Sequence, residues 1–374
     1  MLALALLGAC ERPAVYRIGV VVGYEAGLVA RMVGEEVARE GGIDGVPLEI
    51  VVAPHASPSS AAPAISRAEE FARDPSILAV VGHSNSGASL AASPIYNSAG
   101  LVQIAPTSTA PGFRNAGPYT FTMVPDDSRQ AAFLADMIET LYTPSRVVII
   151  YVNDDYGRGL VTELREQLDR TRGLQIDEYT YLEVPDTILP TGRIARSIEL
   201  SGKQFELAID RMRDAPPDLL VWLGRPAALG DFRRLLPESL RGLPILGSDA
   251  LDTPMLYDNE DHLFGGIRFV RMADPDVDTP EGSRLRQRFS AETNLRLSTE
   301  ALLTYDAVQM VVAALRSGAR TREQVREKLA AVGLQDAPFQ GVAGVVRFDS
   351  NGQADRAYQL MQAGDSGLVR VGRR

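Results

Sequence analysis

The sequence is poor in cysteine, histidine and lysine, and each shortage removes a class of function. One cysteine in 374 residues, Cys10, excludes an intramolecular disulfide, a CxxC metal site and a thiol redox pair by counting alone. The three histidines, His55, His83 and His262, stand without metal-ligand spacing. No Walker loop, G-x-G-x-x-G turn or H-E-x-x-H motif occurs, so neither a metal nor a cofactor is expected. Lys203 and Lys328 are the only lysines, and the formal net charge is -10. So acidic a surface repels phosphate backbones and anionic headgroups, which removes nucleic acid from the expected partners. No stretch beyond the first residues is long and apolar enough for a membrane-spanning helix, which needs about 20 residues. Adjacent acids such as Asp126-Asp127 and Asp154-Asp155 diverge in direction, so capping explains them better than acid/base catalysis.

What is present is a folded chain, 45% hydrophobic and 23% charged, too long for a single core of ordinary size; two domains are expected. The position of Cys10 carries information. It follows the apolar run Leu2 to Leu7 and the small pair Gly8-Ala9, and the chain then turns polar at Glu11-Arg12-Pro13. Leu7-Gly8-Ala9-Cys10 resembles the lipobox of bacterial lipoprotein signal peptides. Residues 1–10 are therefore read as a signal segment ending at a lipidated Cys10, and the protein as periplasmic or cell-surface, held to the membrane by lipid only.

Beyond the signal, β-branched runs alternate with amphipathic stretches, which predicts parallel sheets covered by helices. Strands are expected at Arg17–Val22, Leu48–Ala53, Ile77–Gly82, Leu101–Ile104, Arg146–Val152, Gln175–Leu182, Asp218–Leu223 and Pro244–Gly247. A helix after Asp126-Asp127-Ser128 places Phe133, Leu134, Met137, Ile138 and Leu141 on one face; further stripes run through Leu160, Leu164 and Leu168, and through Val308, Val311, Val312 and Leu315. A helical segment is expected from Ser298 to Gly333. Gly344 to Gly352 reads as a strand ending in an Asn-Gly turn, with Arg356 to Ala363 as the returning strand. Gly173 to Gly202, weak in pattern and broken by Pro185, Pro190 and Gly192, reads in large part as exposed loop.

The most informative stretch is Ala79 to Phe113, AVVGHSNSGASLAASPIYNSAGLVQIAPTSTAPGF. Two strands each end in a loop of small hydroxyl residues. Such loops lie at the carboxyl ends of strands, where open α/β sheets bind ligands, and their N–H groups and hydroxyls suit a carboxylate.

The pattern V-V-G-H-x-x-S-G-x-x-x-A-x-x-P-I-Y-x-x-A-G-L followed by I-A-P-x-x-T-x-P resembles the periplasmic leucine/isoleucine/valine-binding proteins. The likeness continues through Asp155-Tyr156-Gly157-Arg158-Gly159, Gly247-Ser248-Asp249, Tyr305-Asp306-Ala307-Val308 and Gly344 to Gly352. It implies an α/β fold of two doubly wound parallel-sheet lobes joined by a three-strand hinge, with residues 16–125 plus 272–343 in lobe 1 and 126–271 plus 344–374 in lobe 2. It also implies a monomeric receptor that closes on an amino acid or related small polar zwitterion and serves ABC permease subunits. By the same resemblance, Ser86 and Thr109 hold the ligand carboxylate, the Ser108 carbonyl takes the α-amino group, Tyr156 closes over the ligand and Asp249 pairs with the α-ammonium. Tyr24, with Glu25, is a provisional contact because the first loop and helix are short. At Arg225-Pro226, where amino-acid binders carry an aromatic residue, two readings stand: the guanidinium takes a second carboxylate or phosphate, or it pairs with a neighbouring acid.

Two other functions are weighed. A sensor that regulates a partner through the same lobes would share the fold. Gly82-His83-Ser84-Asn85-Ser86 resembles the G-x-S-x-G elbow of α/β-hydrolases, with Asp249 and His262 in triad order, but Ser86 replaces the second glycine and no oxyanion loop is visible. A binding protein rather than an enzyme is expected.

Overall fold

The computed structural model describes residues 15–53, 61–183, 187–188, 194–195, 197–257, 263–364 and 367–372. Cys10, His55, His262, Pro185, Pro190 and Gly192 lie outside the described residues.

The chain first lays down β1 (Tyr16–Val21), α1 (Tyr24–Arg39), β2 (Leu48–Val52), α2 (Ala62–Arg73), β3 (Ile77–Gly82), α3 (Ser86–Ser98), β4 (Val102–Ala105) and β5 (Thr120–Thr122). These five strands form one parallel sheet in the order β2-β1-β3-β4-β5. A second set follows: α4 (Asp127–Met137), β6 (Arg146–Val152), α5 (Asp155–Leu168), β7 (Gln175–Tyr181), the short pair β8 (Thr187–Ile188) and β9 (Ile194–Ala195), α6 (Ser197–Asp214), β10 (Leu219–Leu223), α7 (Pro226–Leu235), β11 (Ile245–Gly247), α8 (Pro254–Tyr257) and β12 (Arg268–Arg271). The chain then returns to the first core with α9 (Pro280–Thr293), α10 (Thr299–Arg316), α11 (Arg322–Ala331) and the hairpin β13 (Phe339–Gly341) and β14 (Gly344–Val346). It ends in the second sheet as β15 (Gln359–Gly364) and β16 (Gly367–Arg370), giving the order β16-β15-β12-β11-β10-β6-β7.

Local chemistry explains these elements. Val147, Val148, Ile149 and Ile150 are at most 1% exposed, the signature of a parallel strand covered on both faces. The acid pairs are caps: Asp126 accepts from Ser128 N at the start of α4, and Asp154 from Gly157 N at the start of α5. Helix α10 is apolar on most of its circumference, with Leu302, Leu303, Val308, Val311 and Leu315 fully buried, so it runs through the first core. Each such side chain contributes about 2 kcal/mol by leaving water. In the second core Trp222 stacks on Tyr181 with centroids 5.3 Å apart, and Phe205 meets Phe232 edge-on at 5.3 Å.

The structure is the two-lobed α/β fold expected, with three departures. The hairpin from Gly344 to Ala363 forms only at its tip, where Phe348 bridges Ala354 and Asp355 N donates to Arg347 O at 2.9 Å. Asp349 Oδ1 accepts from Asn351 N and Gln353 N, closing the Asn-Gly turn, but Gly352 O takes the N–H of Thr122. β14 pairs with β13, and β15 pairs with β12. Val346, Phe348 and Ala354 accordingly pack in the first core and Leu360 in the second, so the third crossing falls after Ala354 and not at residue 344. Third, α6 starts at Ser197, inside the stretch read as loop; its buried spacing, Phe205, Ala208, Ile209 and Met212, begins only two turns later. The first and third crossings run side by side: Tyr358 donates its hydroxyl to Asp126 O at 3.3 Å, and Arg356 Nε donates to Met123 O at 2.7 Å.

Candidate functional site

Both sheets share one topological property. In the first, strand order reverses between β1 and β3; in the second, between β6 and β10. A crevice opens beyond the carboxyl ends of strands at such a reversal, and there doubly wound sheets hold ligands. The two crevices face each other across a cleft of about 230 Å³, a size for a small solute rather than a drug-sized molecule. Ser84, Asn85, Ser86 and Thr107 line it from loops after β3 and β4, and Thr299 and Glu300 from the start of α10. The opposite wall carries Tyr156 after β6, Arg225 and Pro226 after β10, and Asp249 after β11.

Ser86 opens α3, whose cap Asn85 accepts from Ala88 N at 3.1 Å. Its Oγ accepts from Thr109 N at 3.3 Å and Ala110 N at 3.2 Å, tying the two small-residue loops together. With both lone pairs engaged, its proton remains to donate into the cleft. The positive end of the α3 dipole adds to the attraction for an anion there.

On the facing wall, Asp249 Oδ1 accepts from the Tyr156 hydroxyl at 2.6 Å and from Gln130 Nε2 at 2.8 Å, while Asp249 N donates to Gln130 Oε1 at 2.9 Å. Gln130 also reaches Asp127 Oδ1 at 3.3 Å. Burial pushes the Asp249 carboxyl above the usual range against the pull of its two donors. Asp127 is pushed well above it, by complete burial and then by the Asp249 charge. The hydrogen bonds from Tyr156 and Gln130 favour the ionised form of Asp249, at the cleft wall, while Asp127 behind it is disfavoured as an anion by burial and by that neighbour. Gly157 lets α5 carry Tyr156 there: a Cβ on it would lie 1.9 Å from Val152 O.

The remaining sequence candidates are placed differently. Ser108 and Thr109 are 1% exposed and stand behind the lining, with Ser108 Oγ 2.9 Å from Ser89 Oγ. Tyr24 is 77% exposed and is not among the cleft residues. Arg225 is paired, with Asp154 at 3.0 Å and Glu183 at 3.1 Å, which favours the second of its two readings. Ser84 donates to Glu300, and Ser84 Oγ also accepts from Gly23 N at 3.0 Å. The His83 ring meets the Tyr96 hydroxyl through Nε2 at 3.3 Å. Sequence reasoning missed Gln130, Glu300 and Asp252. Ser298-Thr299-Glu300 read only as the start of a helical segment, which it is, Ser298 Oγ accepting from Ala301 N at 3.2 Å.

The sequence model described as "Periplasmic binding protein" matches residues 22–367. The chain belongs to the periplasmic binding protein family. The resemblance read from the motifs is thereby borne out. An amino acid binding protein of Pseudomonas aeruginosa is 26% identical to this binding protein over 330 residues, 86% of this chain and 80% of the relative. A Leu/Ile/Val-binding protein homolog of Brucella suis is 25% identical over 342 residues, 91% of this chain and 83% of the relative. The substrate-binding protein of a branched-chain amino acid transporter from Streptococcus pneumoniae, solved with isoleucine, has the same fold: TM-score 0.78 at 22% identity, covering 96% of this chain and 100% of the other. Among the described residues of this binding protein, no helix is long and apolar enough to cross a membrane.

Proposed function

We propose that this binding protein captures a small α-amino acid between its lobes and presents it to the permease of an ABC importer. The carrying observation is the opposition of two poles across one cleft. Ser86, with a proton to give at the head of α3, faces Asp249, a buried carboxyl group that accepts from Tyr156 and Gln130. The first pole suits a carboxylate and the second an ammonium, and a bound zwitterion satisfies both without leaving a buried charge unpaired. The names of its relatives, which bind amino acids, support the same solute class.

In this reading the protein is exported and works as a monomer, anchored through a lipidated Cys10. Titration calorimetry of the purified chain with the common L-amino acids tests the solute class. A saturable exotherm with one of them at one site per chain is the expected result, and none with any of them refutes it.

A further inference from the structure

The charges lining the cleft do not balance with one ammonium. Arg225 is bracketed by Asp154 and Glu183, so its charge is already met. Asp252 is matched by Arg271 at 3.1 Å and takes the Thr299 hydroxyl at 2.6 Å. Among the described residues, two lining carboxylates have no cation beside them: Asp249 on one wall and Glu300 on the other. Glu300 Oε1 accepts from the Ser84 hydroxyl and from Gly23 N at 3.1 Å. Among the described residues its Oε2 accepts no hydrogen bond, and no arginine or lysine pairs with it. Glu300 is only partly buried and forms part of the cavity wall.

An aliphatic amino acid fits this wall poorly. Its methyl groups would strip water from Glu300 and return no donor, a net loss of affinity. A ligand carrying an amine at the end of a short methylene stem gains a charge-assisted hydrogen bond instead, and the lining Pro226, Ala250 and Met272 offer apolar contact to the stem. We infer that Glu300 is a specificity-determining residue that receives a second cationic group, so the solute class is a diamino monocarboxylic acid. This rests on the amino-acid reading above and narrows it.

The test is titration calorimetry of the full chain with L-ornithine and with L-norvaline, which has the same stem without the terminal amine, on the wild type and on Glu300→Gln. Wild type is expected to hold ornithine at least about tenfold more tightly than norvaline. Glu300→Gln is expected to weaken ornithine by about 10- to 100-fold and to leave norvaline within about threefold. Norvaline binding as tightly as ornithine to the wild type overturns the inference without requiring any variant. Equal weakening of both ligands by Glu300→Gln makes the residue structural and overturns it too. If neither ligand binds while another α-amino acid does, the inference falls and the amino-acid reading stands; if no α-amino acid binds, both fall.

Discussion

The hydroxyl of Tyr156 donates to Asp249 Oδ1 at 2.6 Å, joining the head of α5 to the loop after β11. The two residues are 93 positions apart, yet they follow β6 and β11, parallel strands of one sheet that flank β10 and end at the same edge. The bond aims one carboxylate into the cleft and helps to keep it ionised.

The two partners are expected to contribute unequally to binding. Asp249→Ala removes the counter-charge of an α-ammonium and is expected to weaken a zwitterionic ligand by about 10- to 100-fold. Tyr156→Phe removes one donor and leaves the carboxylate with Gln130, for a loss of about three- to tenfold. Calorimetric titration of both variants measures the difference; equal small losses would contradict this division of roles.

Binding should depend on pH with a definite sign. Asp249 is raised above the usual carboxylate range by burial, and an ammonium pairs only with its ionised form. As pH falls through that raised value the proton competes with the ligand, and affinity is expected to drop by about tenfold per pH unit below it. Asp249→Asn should abolish the slope. A wild-type affinity that stays level from neutral pH down to the ordinary carboxylate range would contradict the assignment.

Arg225 is expected to act on stability. Its side chain is 21% exposed between Asp154 and Glu183, and Glu183 is already raised by burial even with the guanidinium beside it. Arg225→Met leaves two acids facing each other and is expected to cost about 1–3 kcal/mol in urea unfolding at neutral pH. Without the arginine the Glu183 carboxyl, already raised by burial, binds its proton still more tightly in the folded state than in the unfolded one, so the deficit should shrink as pH falls. A deficit that is constant with pH would point to lost packing instead.

Cys10 can be tested in cells. Expressed in a lipoprotein-processing bacterium, the wild type is expected to incorporate labelled palmitate and to fractionate with membranes. Cys10→Ser should lose the label. Label retained by the variant would place the anchor elsewhere.

Much of this architecture was legible in the sequence where burial is complete. Ile77–Gly82 and Arg146–Val152 match their strands to the residue, because a strand covered on both faces reads as an unbroken β-branched run. β5 and β12 escaped notice: Thr120-Phe121-Thr122 and Arg268-Phe269-Val270-Arg271 are short and half polar. The Asn351-Gly352 turn is real and closes a short hairpin, but its far side also bonds Thr122, more than 200 positions away, a pairing that no local signal encodes. The site shows the same limit. Ser86, Tyr156 and Asp249 follow strand ends within recognisable motifs. Glu300 lines the cleft and Gln130 holds Asp249 from behind it, both from the first turns of helices, where a polar residue already has a local structural explanation.

The most direct test of the central claim is a thermal-shift comparison of the best-binding L-amino acid with its deamino counterpart, the same carboxylate lacking the α-amino group. At about 100 times its dissociation constant a ligand stabilises the native state by roughly 2.7 kcal/mol. The account predicts a clear rise in Tm with the amino acid and almost none with the deamino acid at equal concentration. An equal rise with both would show that Asp249 does not recognise an ammonium, and would contradict the account at its core.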